Sequence, residues 1–390
     1  MISFDEAFAI VAGAVRPLGS ESVAIDDAHG RVVAEAVVAA TDSPQADVST
    51  MDGYAVREAE LPSLRVIGES FPGAGFAGAM GPGECVRIFT GAALPEGADR
   101  VIVQEIVRRD GDRVTINGPY AARYIRASGS DFRKGDVLLR AGRILDPHAL
   151  VAAAAADVGA VAVWRRPRVA VLSTGDELAE PGQAGKRPGS IPDSITPGVA
   201  ALAEEWGGAV VSRRRVGDDP GAMESAARDA LGSADVVVVS GGASVGDRDF
   251  AKPVFAALNI EMLFAGVAMK PGRPVWFGRN AGKFVLGLPG NPTSAMVTAR
   301  LLLAPLLAGL TGRDPVAAAD WQPAQIATSL EPEGDRESFL RGRWGSDGVE
   351  ALGNQDSGAQ HALADADVLI RRRPGAPACD GASEVDILIF

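Results

Sequence analysis

Three stretches of this 390-residue chain follow an apolar run with a glycine-bearing loop. They are Ser173-Thr174-Gly175-Asp176-Glu177-Leu178, the run from Ser240 to Asp249, and Leu288-Pro289-Gly290-Asn291-Pro292-Thr293-Ser294. Glycine lets backbone N–H groups approach an anion, and a helix opening behind the loop adds about 0.3–1 kcal/mol per favourable anion contact. Ser240, Gly241, Gly242 and Ser244 therefore read as an anion cradle. One such loop is ordinary in an α/β fold. Three in one segment, at the carboxyl edge of a sheet, point to a phosphate-bearing ligand. Asp176, Glu177, Asp218, Asp219, Asp247 and Asp249 stand beside these loops. Carboxylates next to phosphate suit Mg²⁺, which takes one or two of them plus phosphate oxygens. Asp218 and Asp219, ahead of Pro220, equally suit capping of a helix, whereas Glu177 and Asp249 fit the ligand role better.

Lys270-Pro271-Gly272-Arg273-Pro274 sets two cations three residues apart between prolines, a pattern for clamping an oxyanion. In the preceding region, Met51-Asp52-Gly53 and Phe89-Thr90-Gly91 each read, alone, as an ordinary turn.

Composition narrows the class. Fifty acidic residues against 38 basic ones give a net charge of −12, which argues against coating nucleic acid or docking on an anionic membrane. It leaves room for a small anionic ligand, because such a site is a local array of donors. The two cysteines, Cys85 and Cys379, have no metal-type spacing, and neither HExxH, Walker A nor G-x-S-x-G occurs. Gly73, Gly75 and Gly78 spell G-x-G-x-x-G, yet Met80-Gly81-Pro82-Gly83 follows and cannot open the helix a dinucleotide site needs. The start carries Asp5 and Glu6 where a signal peptide wants basic residues, and Ser3 with Glu6 matches a capping box. The longest apolar run, Ala149 to Trp164, is interrupted by Asp157 and Gly159 and falls short of the ~20 residues of a membrane span. The expectation is a cytoplasmic protein.

The elements that must position these residues change along the chain. Phe4–Val15 reads as a helix, and residues 41–140 as mostly β, with Val101–Val107 and Val114–Ile116 flanking an Asp110-Gly111 turn. Asp146–Ala156 is an Ala-rich helix with Pro147 at its start. From residue 166, strands at Arg168–Leu172, Ala209–Arg215, Val236–Val239 and Phe284–Gly287 alternate with helices at Pro197–Trp206, Pro220–Leu231 and a long apolar one ending near Leu310, which Thr293 or Ser294 can cap. That alternation implies a parallel sheet with right-handed crossovers. Residues 315–390 return to short strands.

These stretches together resemble the molybdopterin molybdenumtransferases, bacterial MoeA and the E domain of gephyrin. The resemblance rests on MDGYAV (51–56), FTGAALPEGADRVIVQE (89–105), SGSDFRKGDVLL (128–139), STGDEL (173–178), SGGASVGDRD (240–249), MKPGRP (269–274), GLPGNPTS (287–294) and DSGAQHALADAD (356–367). It implies α/β plus β architecture in four domains. These are an elongated linker (1–40 with 141–165), an inserted β-rich domain (41–140), a doubly wound α/β molybdopterin-binding domain (166–312) and a C-terminal β-barrel-like domain (313–390).

The resemblance further implies insertion of molybdate into adenylylated molybdopterin, release of AMP and dependence on Mg²⁺. A homodimer with a shared cleft is implied, as are contacts with the molybdopterin adenylyltransferase and recipient molybdoenzymes. Carried over by motif, Asp52 and Thr90 act at the molybdate and pyrophosphate end. Glu177 and Asp249 hold metal or position water, and Asp218 assists. Ser240 to Ser244 cradle phosphate, Lys270 and Arg273 offset the charge of two anions, and Pro289 to Pro292 shape the pterin pocket. The chain departs from the family pattern at Ile195, where Asn is common; an amide donates and accepts, and Ile does neither. Arg273 often stands as Lys, and Ser130 takes the place of Glu. Two further readings are a molybdopterin-binding scaffold that has lost turnover and the preceding adenylyltransferase step. Asp52, Thr90, Glu177 and Asp249 favour the enzyme over the scaffold, and the flanking β regions disfavour the adenylyltransferase.

Overall fold

The computed structural model describes residues 1–241, 250–381 and 383–390. The chain forms two units, one of Ser22–His29 with Glu35–Val161, the other of Met1–Glu21, Gly30–Ala34 and Ala162–Phe390.

The first of these carries a six-stranded sheet of β1 (Gly53–Val56), β2 (Ser63–Ser70), β3 (Glu84–Ile88), β4 (Arg100–Val103), β5 (Val107–Asp110) and β6 (Arg113–Ile116), in the order β4-β1-β3-β2-β6-β5. Only β2 and β3 pair in parallel. Side chains alternate across the sheet: Tyr54, Val56, Cys85 and Ile102 enter one apolar cluster, Ala55, Val86, Ile88 and Val101 the other. The predicted Asp110-Gly111 hairpin forms, with Asp110 opposite Arg113. The predicted strand Val101–Val107 is instead two. β4 pairs with β1 and β5 with β6 at opposite ends of the sheet, so a single 3₁₀ turn at Gln104–Ile106 must redirect the chain. The Gly73–Gly78 stretch lies in the connection between β2 and β3, with no helix after it. The helix Pro147–Ala155 begins as expected, capped by Asp146, whose carboxylate accepts the Ala149 N–H at 2.8 Å.

The other unit opens with α1 (Phe4–Ala14), whose capping box is formed: Ser3 Oγ accepts the Glu6 N–H at 3.2 Å, and Glu6 Oε2 accepts the Ser3 N–H at 2.8 Å. Its α/β sheet holds β7 (Arg168–Thr174), β8 (Ala209–Val216), β9 (Val236–Ser240), β10 (Glu261–Ala265), β12 (Trp276–Asn280) and β13 (Lys283–Leu288), in the order β8-β7-β9-β13-β12-β10; β11 (Met269–Lys270) belongs elsewhere. Valines of β9 alternate, with Val236 and Val238 facing one core and Val237 and Val239 the other. The first core takes α2 (Ile195–Glu205) and α5 (Pro292–Leu310), and the second takes α3 (Pro220–Ser233) and α4 (Ala251–Ala257), so the sheet is wound on both faces.

Two details differ from the sequence expectation. The sheet is not wholly parallel, because β12 pairs antiparallel with β13 and β10 antiparallel with β12. The link from β12 to β13 is only Ala281-Gly282, with φ of 48° and 81°, a two-residue hairpin too short for a crossover. Helix α5 begins at Pro292 after Asn291, and neither Thr293 nor Ser294 caps it. Spanning 19 residues, α5 is long and apolar enough to cross a membrane, but 94% of its most apolar 18-residue window is buried inside the protein, as in a core helix.

The C-terminal sheet comprises β14 (Gln322–Gln325), β15 (Glu337–Gly345), β16 (Gly348–Ala351), β17 (Val368–Arg372) and β18 (Glu384–Ile389), with β11 added parallel to β15. A bridge between Ile326 and Val349 joins its two sides into a partly closed barrel.

Candidate functional site

The parallel strands β7, β9 and β13 end together, with Ser173 opposite Ser240 and Ser240 opposite Leu288. The three glycine-bearing loops therefore leave the same edge. There they line a cavity of about 620 Å³ that takes in Thr174, Gly175, Glu177, Asp218, Ser240, Gly241, Gly290, Asn291 and Pro292. Two glycines are required here. Gly175 has φ of +144°, and a Cβ on it would stand 2.5 Å from Glu177 Oε1. Gly241 has φ of +83°, and its Cβ would stand 2.7 Å from Thr174 Oγ1. Both backbones can pass only without a side chain.

Ser240 is the most telling residue of the lining. It is 2% exposed, and its Oγ has no hydrogen-bond partner among the described residues. A buried hydroxyl without a partner costs about 1–3 kcal/mol, and a ligand oxygen in the cavity would recover it. Glu177 and Asp218 supply two carboxylates on the same lining. Among the described residues there is no cluster of three His, Cys, Asp or Glu that could cage a metal. Two carboxylates with a phosphate oxygen and water fit Mg²⁺, which seldom takes an all-protein cage. Of the two aspartates before Pro220, Asp219 is the helix cap, accepting the Ala222 N–H at 2.7 Å, while Asp218 lines the cavity.

Asp52 and Thr90 lie in the other unit, where β1 begins and β3 ends. Asp52 Oδ1 accepts the Thr90 N–H and the Thr90 hydroxyl, each at 2.8 Å. These two bonds, the backbone one foremost, hold the Asp52 carboxyl below its ordinary range, with the nearby Arg87 adding to them against a small opposing effect of desolvation. What the sequence shows as two separate turns is one hydrogen-bonded pair.

The remaining expectations divide. Gly242, Ser244, Asp247 and Asp249 lie outside the described residues. Pro292 lines the cavity and Pro289 is buried next to it. Lys270 and Arg273 are not in the lining. Lys270 sits on β11 opposite Ser338 of the C-terminal sheet, and Arg273 Nε is 3.3 Å from Met1 Sδ. Ile195 lines the cavity and at 8% exposure also joins the core.

Several residues of the cavity wall escape a sequence reading. Asp193, 2% exposed, accepts from the Ser173 hydroxyl at 2.9 Å and the Thr196 hydroxyl at 2.7 Å, and so fixes the start of α2 against β7. Its Asp-x-x-Thr spacing ahead of a helix was the available signal. Gly358 and Gln360 close the cavity from the C-terminal region. Asn291 Nδ2 donates to Ser357 Oγ at 2.8 Å, and the Thr293 N–H donates to the Ser357 carbonyl at 3.2 Å. Fully buried Arg341 holds the same segment, donating to the carbonyls of Asn354 at 3.0 Å and Asp356 at 3.3 Å.

Comparison with known proteins matches three successive regions of the chain. Residues 2–157 match the MoeA N-terminal region (domain I and II), residues 170–309 a probable molybdopterin binding domain, and residues 323–390 the MoeA C-terminal region (domain IV). The chain is 36% identical to a molybdopterin molybdenumtransferase of Nostoc sp. over 343 residues, covering 84% of this chain and 77% of that protein. It is 30% identical to one of Staphylococcus aureus over 385 residues, covering 94% and 90%. A crystal structure of a molybdopterin biosynthesis MoeA protein from Pyrococcus horikoshii superimposes with a TM-score of 0.86 at 32% identity, over 100% of this chain and 99% of that one.

Proposed function

Since this chain belongs to the MoeA family of molybdopterin molybdenumtransferases, matched region by region from residue 2 to residue 390, we propose that it inserts molybdate into adenylylated molybdopterin and releases AMP. Family membership makes it a transferase of molybdenum cofactor biosynthesis. The finer chemistry is our reading, and the observation that carries it is the buried Ser240 hydroxyl, unpartnered among the described residues, in a cavity walled by glycine loops and two carboxylates.

In this reading the substrate's phosphates lie against Ser240 and Gly241. The Ser240 Oγ–H and the Gly241 N–H donate to phosphate oxygens there. The cavity has apolar surface as well, from Leu178, Ile191, Pro192 and Ile195, against which the pterin packs. Glu177 and Asp218 would hold Mg²⁺, with Asp249 as the third carboxylate of the family pattern, and the ion would polarise the phosphoanhydride. Water adding to phosphorus breaks that bond, and AMP leaves. Bringing molybdate near a phosphate is opposed by ~1 kcal/mol per charge pair at 4 Å in water, and by more in a sheltered site. Backbone N–H groups offset this, and the ion would add to them. Asp52 stays ionised and orients the Thr90 hydroxyl, whose oxygen remains free to accept from a protonated oxyanion or water. A homodimer is part of the proposal.

Incubation with adenylylated molybdopterin, Mg²⁺ and molybdate tests it, with AMP release and cofactor formation followed together. Binding without molybdate-dependent AMP would overturn it. Mixing Asp52→Ala with Glu177→Ala protomers tests the dimer. If two copies contribute to one site, the mixture regains activity that neither parent has.

A further inference from the structure

Beside the Asp52–Thr90 pair, the same sheet edge carries a ladder of rings that nothing in the proposed reaction yet uses. β2 and β3 run in parallel and end side by side, with Ser70 opposite Ile88, so Phe71 and Phe89 leave the edge together. Their rings stack at 4.5 Å between centroids and 11° between planes. The Arg87 guanidinium lies over the Phe89 ring at 4.9 Å and over the Tyr54 ring at 5.1 Å. Phe71 fills one face of Phe89, which leaves the guanidinium the other. Arg87 is itself fixed, donating to the Gly53 carbonyl at 3.0 Å and to Gln104 Oε1 at 2.5 Å.

The outermost ring is also held rigidly. Phe71-Pro72-Gly73-Ala74 closes on itself, with the Phe71 N–H donating to the Ala74 carbonyl at 3.1 Å and the Ala74 N–H returning to Phe71 at 3.0 Å. Gly73 has φ of +75°, as the third position of a type II turn requires, and proline holds the second. Phe71 is nevertheless 42% exposed. With one face covered by Phe89, that exposure falls on its outer face and edges. A large aromatic face held in water on a stiff turn forgoes the free energy that burial would give, and its geometry suits a flat partner lying parallel to the stack.

We propose that the outer face of Phe71 is a stacking platform for a flat heterocycle of the substrate, delivered next to Asp52 and Thr90. This rests on the reaction proposed above, whose adenylylated substrate has two such rings, a pterin and an adenine. Aromatic stacking of this kind is sequence-tolerant and strong enough to matter, on the order of tenfold or more in affinity for each base.

The test uses the full-length protein. All five tryptophans lie at or beyond Trp164, so Phe71→Trp places a reporter alone in the unit that holds Asp52. Its fluorescence should be quenched on adding adenylylated molybdopterin. Quenching by AMP alone assigns the adenine to the platform, and quenching by molybdopterin but not by AMP assigns the pterin. Phe71→Ala should raise KM for the adenylylated substrate about tenfold and leave kcat close to wild type, while Phe71→Tyr should restore KM. Unquenched Phe71→Trp together with wild-type KM in Phe71→Ala overturns the platform. So does a Phe71→Ala variant altered only in its dimer dissociation, since the ring would then serve a second copy of the chain. Wild-type protein that forms no cofactor in the same assay refutes the reaction instead, and the AMP and molybdopterin titrations still judge the platform.

Discussion

A single oxygen of Asp52, Oδ1, takes both hydrogen-bond donors of Thr90, the N–H and the hydroxyl, at 2.8 Å each. The second oxygen carries no such bond within this pair. The carboxylate is thus tethered at one side and open at the other, and its charge is stabilised by donors that cannot rotate away together. Because Thr90 also follows Phe89 directly, the same turn that tethers Asp52 sets the aromatic stack.

This arrangement fixes a pH dependence. A carboxyl whose pKa is depressed in the folded state keeps its bonds above the ordinary value of about 3.9 and loses them only as pH falls through the lower, folded value. Asp52 should therefore remain ionised throughout the acid limb of the activity profile down to about pH 4. Thr90→Val removes the hydroxyl donor and keeps the N–H, which is the larger cause of the shift. Its Asp52 pKa should rise part of the way toward the ordinary value. Carboxyl carbon NMR titration reads this directly, and an unmoved pKa would show that the hydroxyl bond contributes nothing.

Gly175→Ala should impair turnover out of proportion to stability. The added Cβ would meet the Glu177 carboxylate at 2.5 Å, at a φ that L residues rarely adopt. The strain is of order 1–3 kcal/mol, which a protein of this size can absorb while Glu177 is displaced from the cavity. AMP release should fall at least tenfold with a cooperative melt retained; wild-type turnover would remove the Glu177 carboxylate from the chemistry.

Arg371 should be critical for stability. It is 8% exposed, is paired with the buried Glu337, bonds Asp5 Oδ1 at 2.5 Å, and lies 5.2 Å from the ring centres of both Phe4 and Trp321. It thereby fastens α1 to the C-terminal sheet. Arg371→Met leaves Glu337 buried and unpaired, a loss of about 3–5 kcal/mol. Urea unfolding measures it, and a shift under ~1 kcal/mol would place the pair among those worth little.

Thiol chemistry should separate the two cysteines. Burial pushes the Cys85 thiol up to about 12, so it stays protonated and unreactive at neutral pH. Cys379 is partly exposed. A chromogenic disulfide reagent should label one thiol per chain in the native protein and two in denaturant. Two labelled at once would mean that the β-sheet core around Cys85 opens readily.

Much of the fold follows from local chemistry that the residues carry themselves. Ser3 and Glu6 cap α1, Pro147 starts its helix behind Asp146, and the valines of β9 alternate between two cores because strand side chains do. The glycine loops behave likewise: a strand ending in Ser-Gly or Ser-Thr-Gly already implies close backbone approach, and Gly175 and Gly241 make that approach. Order along the chain was enough for the family resemblance, which the region-by-region matches repeat.

What needed the tertiary structure is every partnership between distant residues. Asn291 meets Ser357 across 66 positions, and Lys270, read from its own turn as half of an oxyanion clamp, pairs as a strand residue with Ser338 of the C-terminal sheet. Apart from the family motif, the Asp-Gly turn at 52 reads as an ordinary turn, and no motif separates Phe71 from an ordinary core phenylalanine. A residue's propensity depends on its immediate neighbours, whereas a site depends on which strand ends coincide. Strand order and register decide that, and they are set by packing over the whole sheet.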